Sequence, residues 1–182
     1  MPLTDALRDD ILATVPSLRA FAISLSGNPD RADDLVQETL LRALANIDSF
    51  EPGSNLSAWL FTILRNLFRS DYRKRRREVE DADGNYAKTL KTQPSQSAHL
   101  EFEEFRAALD KLPQDQREAL ILVGASGFSY EDAATICGCA VGTIKSRVNR
   151  ARRRLAVLLG LDADADGAPV EDVAAAEDMV NA

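Results

Sequence analysis

Apolar residues recur at three- and four-residue spacings along most of the chain, and the alternation of a half-buried strand is almost absent. Such spacing gathers apolar side chains on one helical face, so the pattern predicts an all-α fold. The first helix is expected from about Asp5 to Leu25, ending at Gly27, with Pro16 a candidate kink near its middle. In "GNPD", Asn28 and Asp30 are cap candidates and Pro29 fits an early helical position, opening a second helix through about Asn46. "FEPGSNLS" is a loop, marked by Pro52 and Gly53, after which Ser57 can cap a long helix from Ala58 to about Arg77. From Val79 to Ala98 the periodicity collapses into polar text interrupted by Gly84 and Pro94. That text buries too little apolar surface to offset ordering and reads as a flexible linker. A second helical domain follows over about Leu100 to Leu161, with Pro113 starting its second helix. The organisation is thus two small helical domains, 1–78 and 99–160, joined by a linker, 79–98, and followed by a tail, 161–182. In that tail Ala alternates with Asp, although "VEDVAAAEDMV" could form a short helix.

Within "FSYEDAATICGCAVGTIKSRVNRARRRL", Ser129 and Asp132 stand at the spacing of a capping box, with Asp in the usual Glu position. A short helix to Ile136, a turn permitted by Gly138 and a helix starting near Val141 describe a helix-turn-helix. Ala140 is a poor cap for that last helix. At 100° per residue its Ile144, Val148, Ala151 and Leu155 form a narrow apolar stripe. Opposite lie Ser146, Asn149, Arg150 and Arg153, with Lys145 and Arg152 on one flank and Arg154 on the other. Such a face can enter a major groove, Asn pairing with adenine edges and Arg with guanine while flanking cations neutralise phosphates. Arg147 falls nearer the apolar stripe, where a phosphate contact and an internal ion pair are equal expectations.

Charge sharpens this picture. The 182 residues carry a net charge of -7, yet Arg65 to Arg77 is +6, Lys145 to Arg154 is +6, and Leu161 to Ala182 is -7. In "SNLSAWLFTILRNLFRSDYRKRRR" the apolar stripe is Leu60, Ile63, Leu64 and Leu67, with Arg65, Arg69, Arg73 and Arg76 opposite and Asn66 beside them. Cations on one face near Trp59, Phe68 and Tyr72 suit phosphate tracking combined with base stacking, and Trp59 also fits a core anchor.

Catalytic chemistry finds little support. Cys137 and Cys139 are the only cysteines and His99, placed just before a helix, is the only histidine. They are too few for a zinc site or a nucleophile, base and orienter, and phosphate-binding glycine motifs are absent. No enzyme activity, metal or cofactor is expected. The start has no basic stretch leading into an apolar core, and the longest apolar run, "ALILVGA", is far too short to span a bilayer, so a soluble cytoplasmic protein without membrane contact is expected.

The segments "DRADDLVQETLLRALANIDSF", "SNLSAWLFTILRN" and "LPQDQREALILVGASGFSYEDAATICGCAVGTIKSRVNRARRRL" resemble the bacterial extracytoplasmic-function sigma factors, over about Asp5 to Leu158. The resemblance implies a subunit that binds core RNA polymerase and directs it to promoter DNA. Polymerase contacts would fall on Asp33, Asp34, Leu35, Gln37 and Glu38, whose two aspartates also favour a helix N-terminus. The minus-ten element would be read by Asn55, Leu56, Ser57 and Asn66, with Arg65, Arg69 and Arg73 on phosphates, and the minus-thirty-five element by Lys145, Ser146, Asn149, Arg150 and Arg153. "LILVGASGFSYEDAATICGCAVGTIKSRVNRAR" is similar to the general stress response type of alphaproteobacteria. That likeness implies a small anti-sigma factor, itself removed by a response regulator carrying a sigma-like domain. Two alternatives are a sigma-like mimic that binds only an anti-sigma factor and an autonomous helix-turn-helix regulator.

Overall fold

The computed structural model describes residues 4–80 and 97–161. Among these residues the architecture is all helical, with a short 3-10 turn at Ile47–Ser49. All of the tail after Leu161 and most of the expected linker lie outside the described residues.

The first unit packs α1 (Asp5–Ser26), α2 (Pro29–Ala45) and α3 (Leu56–Glu80) against one another. The Thr4 hydroxyl caps α1 by accepting the Leu7 amide at 3.2 Å. At its other end Gly27 takes a left-handed φ of 66° and donates its amide to the Ile23 carbonyl. Pro16 lies on the exposed side of α1, and the helix runs through it without ending. Of the two cap candidates for α2, the structure selects Asn28, whose Oδ1 accepts the Arg31 amide at 3.0 Å, leaving Asp30 in the first turn. Helix α3 starts before Ser57, because Asn55 caps it by accepting the Ala58 amide at 3.0 Å. Its core face, Leu60, Leu64 and Leu67, lies in one buried cluster with Leu18, Phe21, Ala32 and Val36, and Phe21 stacks on Phe61 with centroids 5.1 Å apart.

The second unit contains α4 (Ser97–Asp110), α5 (Gln114–Gly124), α6 (Tyr130–Cys137) and α7 (Val141–Leu158). Helix α4 begins early enough to take in His99, expected ahead of it. Buried Ile144 and Val148 of α7 pack with Ala119, Leu122 and Ile136, while Ala151 and Leu155 join Ala108 and Leu112 in a smaller cluster. The two units do not stand apart. Phe61 of α3 meets Phe128 edge-on at 4.8 Å, and one buried apolar cluster runs from Leu7 to Val148 through both. No described helix is long and apolar enough to cross a membrane.

Candidate nucleic-acid interface

The α6–turn–α7 element is built by local chemistry. The Ser129 hydroxyl accepts the Asp132 amide at 3.0 Å, and Gly138, at φ 62°, closes α6 by donating to the carbonyls of Ala134 and Thr135. Only half of the expected capping box forms, because the Asp132 carboxylate turns away and accepts from Asn55 Nδ2 at 3.2 Å. Ala140 gives α7 no side-chain cap, and its carbonyl accepts the Thr143 and Ile144 amides instead.

Burial of Ile144, Val148, Ala151 and Leu155 fixes the rotation of α7 and leaves Lys145, Asn149, Arg150, Arg153 and Arg154 exposed. Asn149, Arg150 and Arg153 make no side-chain hydrogen bond or ion pair with another described residue, so their donors are free for a groove. Lys145 is held over the Tyr130 ring, its Nζ 5.5 Å from the centroid. Ser146 is half-buried and returns its hydroxyl to the Thr143 carbonyl at 2.9 Å. Arg147 is an internal ion pair, its Nε 3.2 Å from Asp115 and its Nη1 3.6 Å from Cys139 Sγ.

The second cationic surface is on α3, and there the structure departs from a free face. Asn66 and Arg73 are exposed, whereas the Arg65 side chain is only 5% exposed. Arg65 Nε donates to Glu118 at 2.9 Å and Nη1 to the Ile136 carbonyl at 3.3 Å. Arg69 adds two bonds to the same carboxylate at 3.4 and 3.2 Å, and Gln114 adds one at 3.0 Å. Glu118 is fully buried, and it brings these arginines together from the opposite unit. In this arrangement Arg65 is withdrawn from solvent, and Asn55, expected in a DNA-reading loop, is engaged with Asp132. Leu56 and Ser57 are half-buried in the first turn of α3. A cleft of about 410 Å³ opens beside the carboxylate, lined by Arg65, Asn66, Arg69, Tyr72, Arg73 and Gln114. The Arg76 side chain lies outside the described residues. Trp59 is half-buried 5.3 Å from the Phe50 ring, in the place of a core anchor, and Phe68 is buried too.

On α2, Asp34, Gln37 and Glu38 are exposed, and Asp33 is exposed in a two-pronged bond with Arg19 at 2.6 and 3.2 Å. The Arg19 guanidinium holds the Asp33 carboxyl below its usual range by hydrogen bonding. Leu35 departs from the surface role expected of it. It is buried, since it lies in phase with Ala32, Val36 and Thr39 on the core face. Two residues that sequence reading missed are Leu41, exposed on the same face as Asp34 and Glu38, and Glu118. The signal for Glu118 was present: it stands in phase with Ile121 and Leu122, a charge in an apolar stripe.

Two helical units, each with a cationic helix and the second presenting a helix-turn-helix with free polar donors, define a DNA-binding architecture. Residues 11–78 match the family described as Sigma-70 region 2, and residues 102–155 match Sigma-70, region 4. The ECF RNA polymerase sigma factor EcfG of Rhodopseudomonas palustris (strain TIE-1) is 86% identical over 175 residues, covering 96% of this chain and 97% of that one. The solved sigma factor RpoE of Bartonella quintana, in complex with the anti-sigma factor NepR, matches with a TM-score of 0.80 and 59% identity over 87% of this chain and 99% of that chain. The PhyRSL–NepR complex from Sphingomonas sp. Fr1 shares the fold, with a TM-score of 0.65 at 21% identity over 94% of this chain and 98% of that chain. The chain belongs to the extracytoplasmic-function (ECF) RNA polymerase sigma factors.

Proposed function

We propose that this sigma factor binds core RNA polymerase through the exposed α2 face around Asp34, Gln37 and Glu38 and reads two promoter elements. Helix α7 takes the minus-thirty-five element, with Asn149 and Arg150 on base edges and Lys145 and Arg153 on phosphates. Helix α3, from its cap Asn55 and first-turn residues Leu56 and Ser57 onward, takes the minus-ten element, with Asn66 on a base and Arg69 and Arg73 on phosphates. The observation that carries this reading is the free polar face of α7: Asn149, Arg150 and Arg153 are exposed and uncommitted while the opposite stripe is buried. That free face also weighs against a mimic that never touches DNA.

The chain supplies specificity, and polymerase supplies the catalysis, in the cytoplasm where both meet DNA. Stress-response promoters and restraint by a small anti-sigma factor are supported by the likeness to the NepR-bound RpoE. Release by a response regulator with a sigma-like domain rests on the same subfamily likeness.

Run-off transcription with purified core polymerase tests this reading on a library of stress promoters. Transcripts should appear only when the protein is added. Arg150→Ala should weaken promoter discrimination by about 1–3 kcal/mol, the cost of losing a bidentate base contact. An equal loss on all DNA sequences would make Arg150 a phosphate contact, and no transcript with any promoter would overturn the reading.

A further inference from the structure

The arginines expected on promoter phosphates already hold an anion. Arg65 and Arg69 of α3 converge on Glu118 of α5, and the carboxylate accepts four hydrogen bonds with no exposure to water. Two oxygens receiving a guanidinium fork from Arg69 and a single bond from Arg65 offer the geometry that a phosphate group also offers. Around this point the units are sealed by Phe61 on Phe128, by Arg65 on the Ile136 carbonyl and by Asn55 on Asp132. The seal therefore engages three residues assigned to the minus-ten element: Asn55, Arg65 and Arg69.

Size makes the same point. Elements centred about 25 base-pair steps apart are separated by roughly 85 Å at about 3.4 Å per step. A compact body of roughly 140 residues has a radius of gyration near 15 Å, and so spans only about 40 Å. The two units cannot lie on both elements while packed as they are.

We propose that Glu118 is a phosphate-mimicking latch, and that the α5–α6 face of the second unit is a docking surface for the DNA-binding face of α3 in the same chain. This inference rests on the reading of α3 as a minus-ten binding helix. Docking and DNA binding by α3 exclude one another, so the free chain masks its own nucleic-acid surface until polymerase separates the units. The latch is built to be exchanged. Arg65 Nη2 is buried without a hydrogen-bond partner among the described residues, a polar group that an open, solvated state would satisfy. The exposed Arg73 and Asn66 at the mouth of the cleft remain available to a first phosphate while Arg65 and Arg69 are still engaged.

The test uses the full chain in four forms: parent, Glu118→Gln, Asp132→Ala and Arg73→Ala. Each is confirmed as folded by circular dichroism. Binding of a fluorescent single-stranded minus-ten oligonucleotide is followed by anisotropy without polymerase, and the radius of gyration by small-angle scattering. Glu118→Gln removes the buried charge at constant shape, and Asp132→Ala opens the seal at a half-buried site where folding is not at stake. Both should bind the oligonucleotide roughly three- to tenfold more tightly, the gain expected when the binding-competent state is raised from about a tenth or a third of the population. Both should also expand, while transcription with saturating core polymerase stays at the parent level. Arg73→Ala separates the two ideas. If it weakens oligonucleotide binding while Glu118→Gln and Asp132→Ala leave affinity and size unchanged, α3 reads DNA and the latch is overturned. If Arg73→Ala binds as the parent does, the DNA reading of α3 falls and the latch falls with it.

Discussion

Cys137 lies where the two units meet, close enough to Arg65 and Glu118 to feel both charges, and burial pushes its thiol up to about 11 from 9.0. The nearby guanidinium only partly offsets that desolvation. The thiol is therefore neutral across physiological pH, which fits a small apolar filler and not a nucleophile. A raised folded-state value means that the unfolded chain releases this proton first. Stability from this group is intact below pH 9 and falls as pH rises towards 11, with a slope that approaches about 1.4 kcal/mol per pH unit. Urea unfolding of the parent and Cys137→Ala between pH 8 and 11 checks this, since the substitution cancels the slopes of other titrating groups. Parallel curves would show that Cys137 titrates alike in both states. At this scale the sequence spoke clearly on α7, where four apolar residues at helical spacing proved to be the four buried ones. It was silent on Arg65 because the carboxylate that buries it stands 53 residues away. A helical wheel describes one helix and carries no information on which other helix will cover it.

Helix starts were legible where one side chain could do the work, and ambiguous where two candidates stood close together. Asn28 precedes Pro29, whose fixed φ and missing amide suit the first helical position, so the cap and the proline reinforce each other. Asn28→Ala should then cost about 1 kcal/mol, seen as a fall of about 2–4 °C in the thermal midpoint of a chain this size. Asp30→Ala, which touches only the helix dipole, should cost less, and an equal or larger loss would reverse the assignment of the cap. The start of α3 was placed late. Ser57 and Asn55 both have capping chemistry, and the choice fell to Asn55 because Leu56 is partly buried against the core and so belongs inside the helix. The half-formed capping box of α6 has a related cause. Asp132 is one methylene shorter than the Glu of a complete box, and a donor from the other unit, Asn55, takes its carboxylate.

Across the whole molecule, charge is sorted by segment, and this sorting survives folding in an unexpected form. Two basic helices were expected to be two free surfaces. Helix α7 presents one, whereas α3 turns part of its cationic face onto Glu118 in the second unit. The order of helices and the split into two units followed from local periodicity. Their packing did not, because it depends on Phe61 meeting Phe128 and Asn55 meeting Asp132, pairs with no signal at local spacing. The tail from Leu161 to Ala182 holds seven acidic residues and no basic one, which equals the net charge of the entire chain. Removing residues 162–182 thus leaves a near-neutral protein whose basic α7 no longer shares the chain with a block of opposite charge that competes with DNA for it. That deletion should raise affinity for nonspecific duplex DNA at low salt, where steering by net charge is strongest, and the difference from the parent should shrink as ionic strength rises and screening takes over. The measurement is a salt titration of DNA binding for both forms. Converging lines on a log–log plot assign the tail an electrostatic role in limiting nonspecific binding, whereas parallel lines would assign its effect to something other than charge.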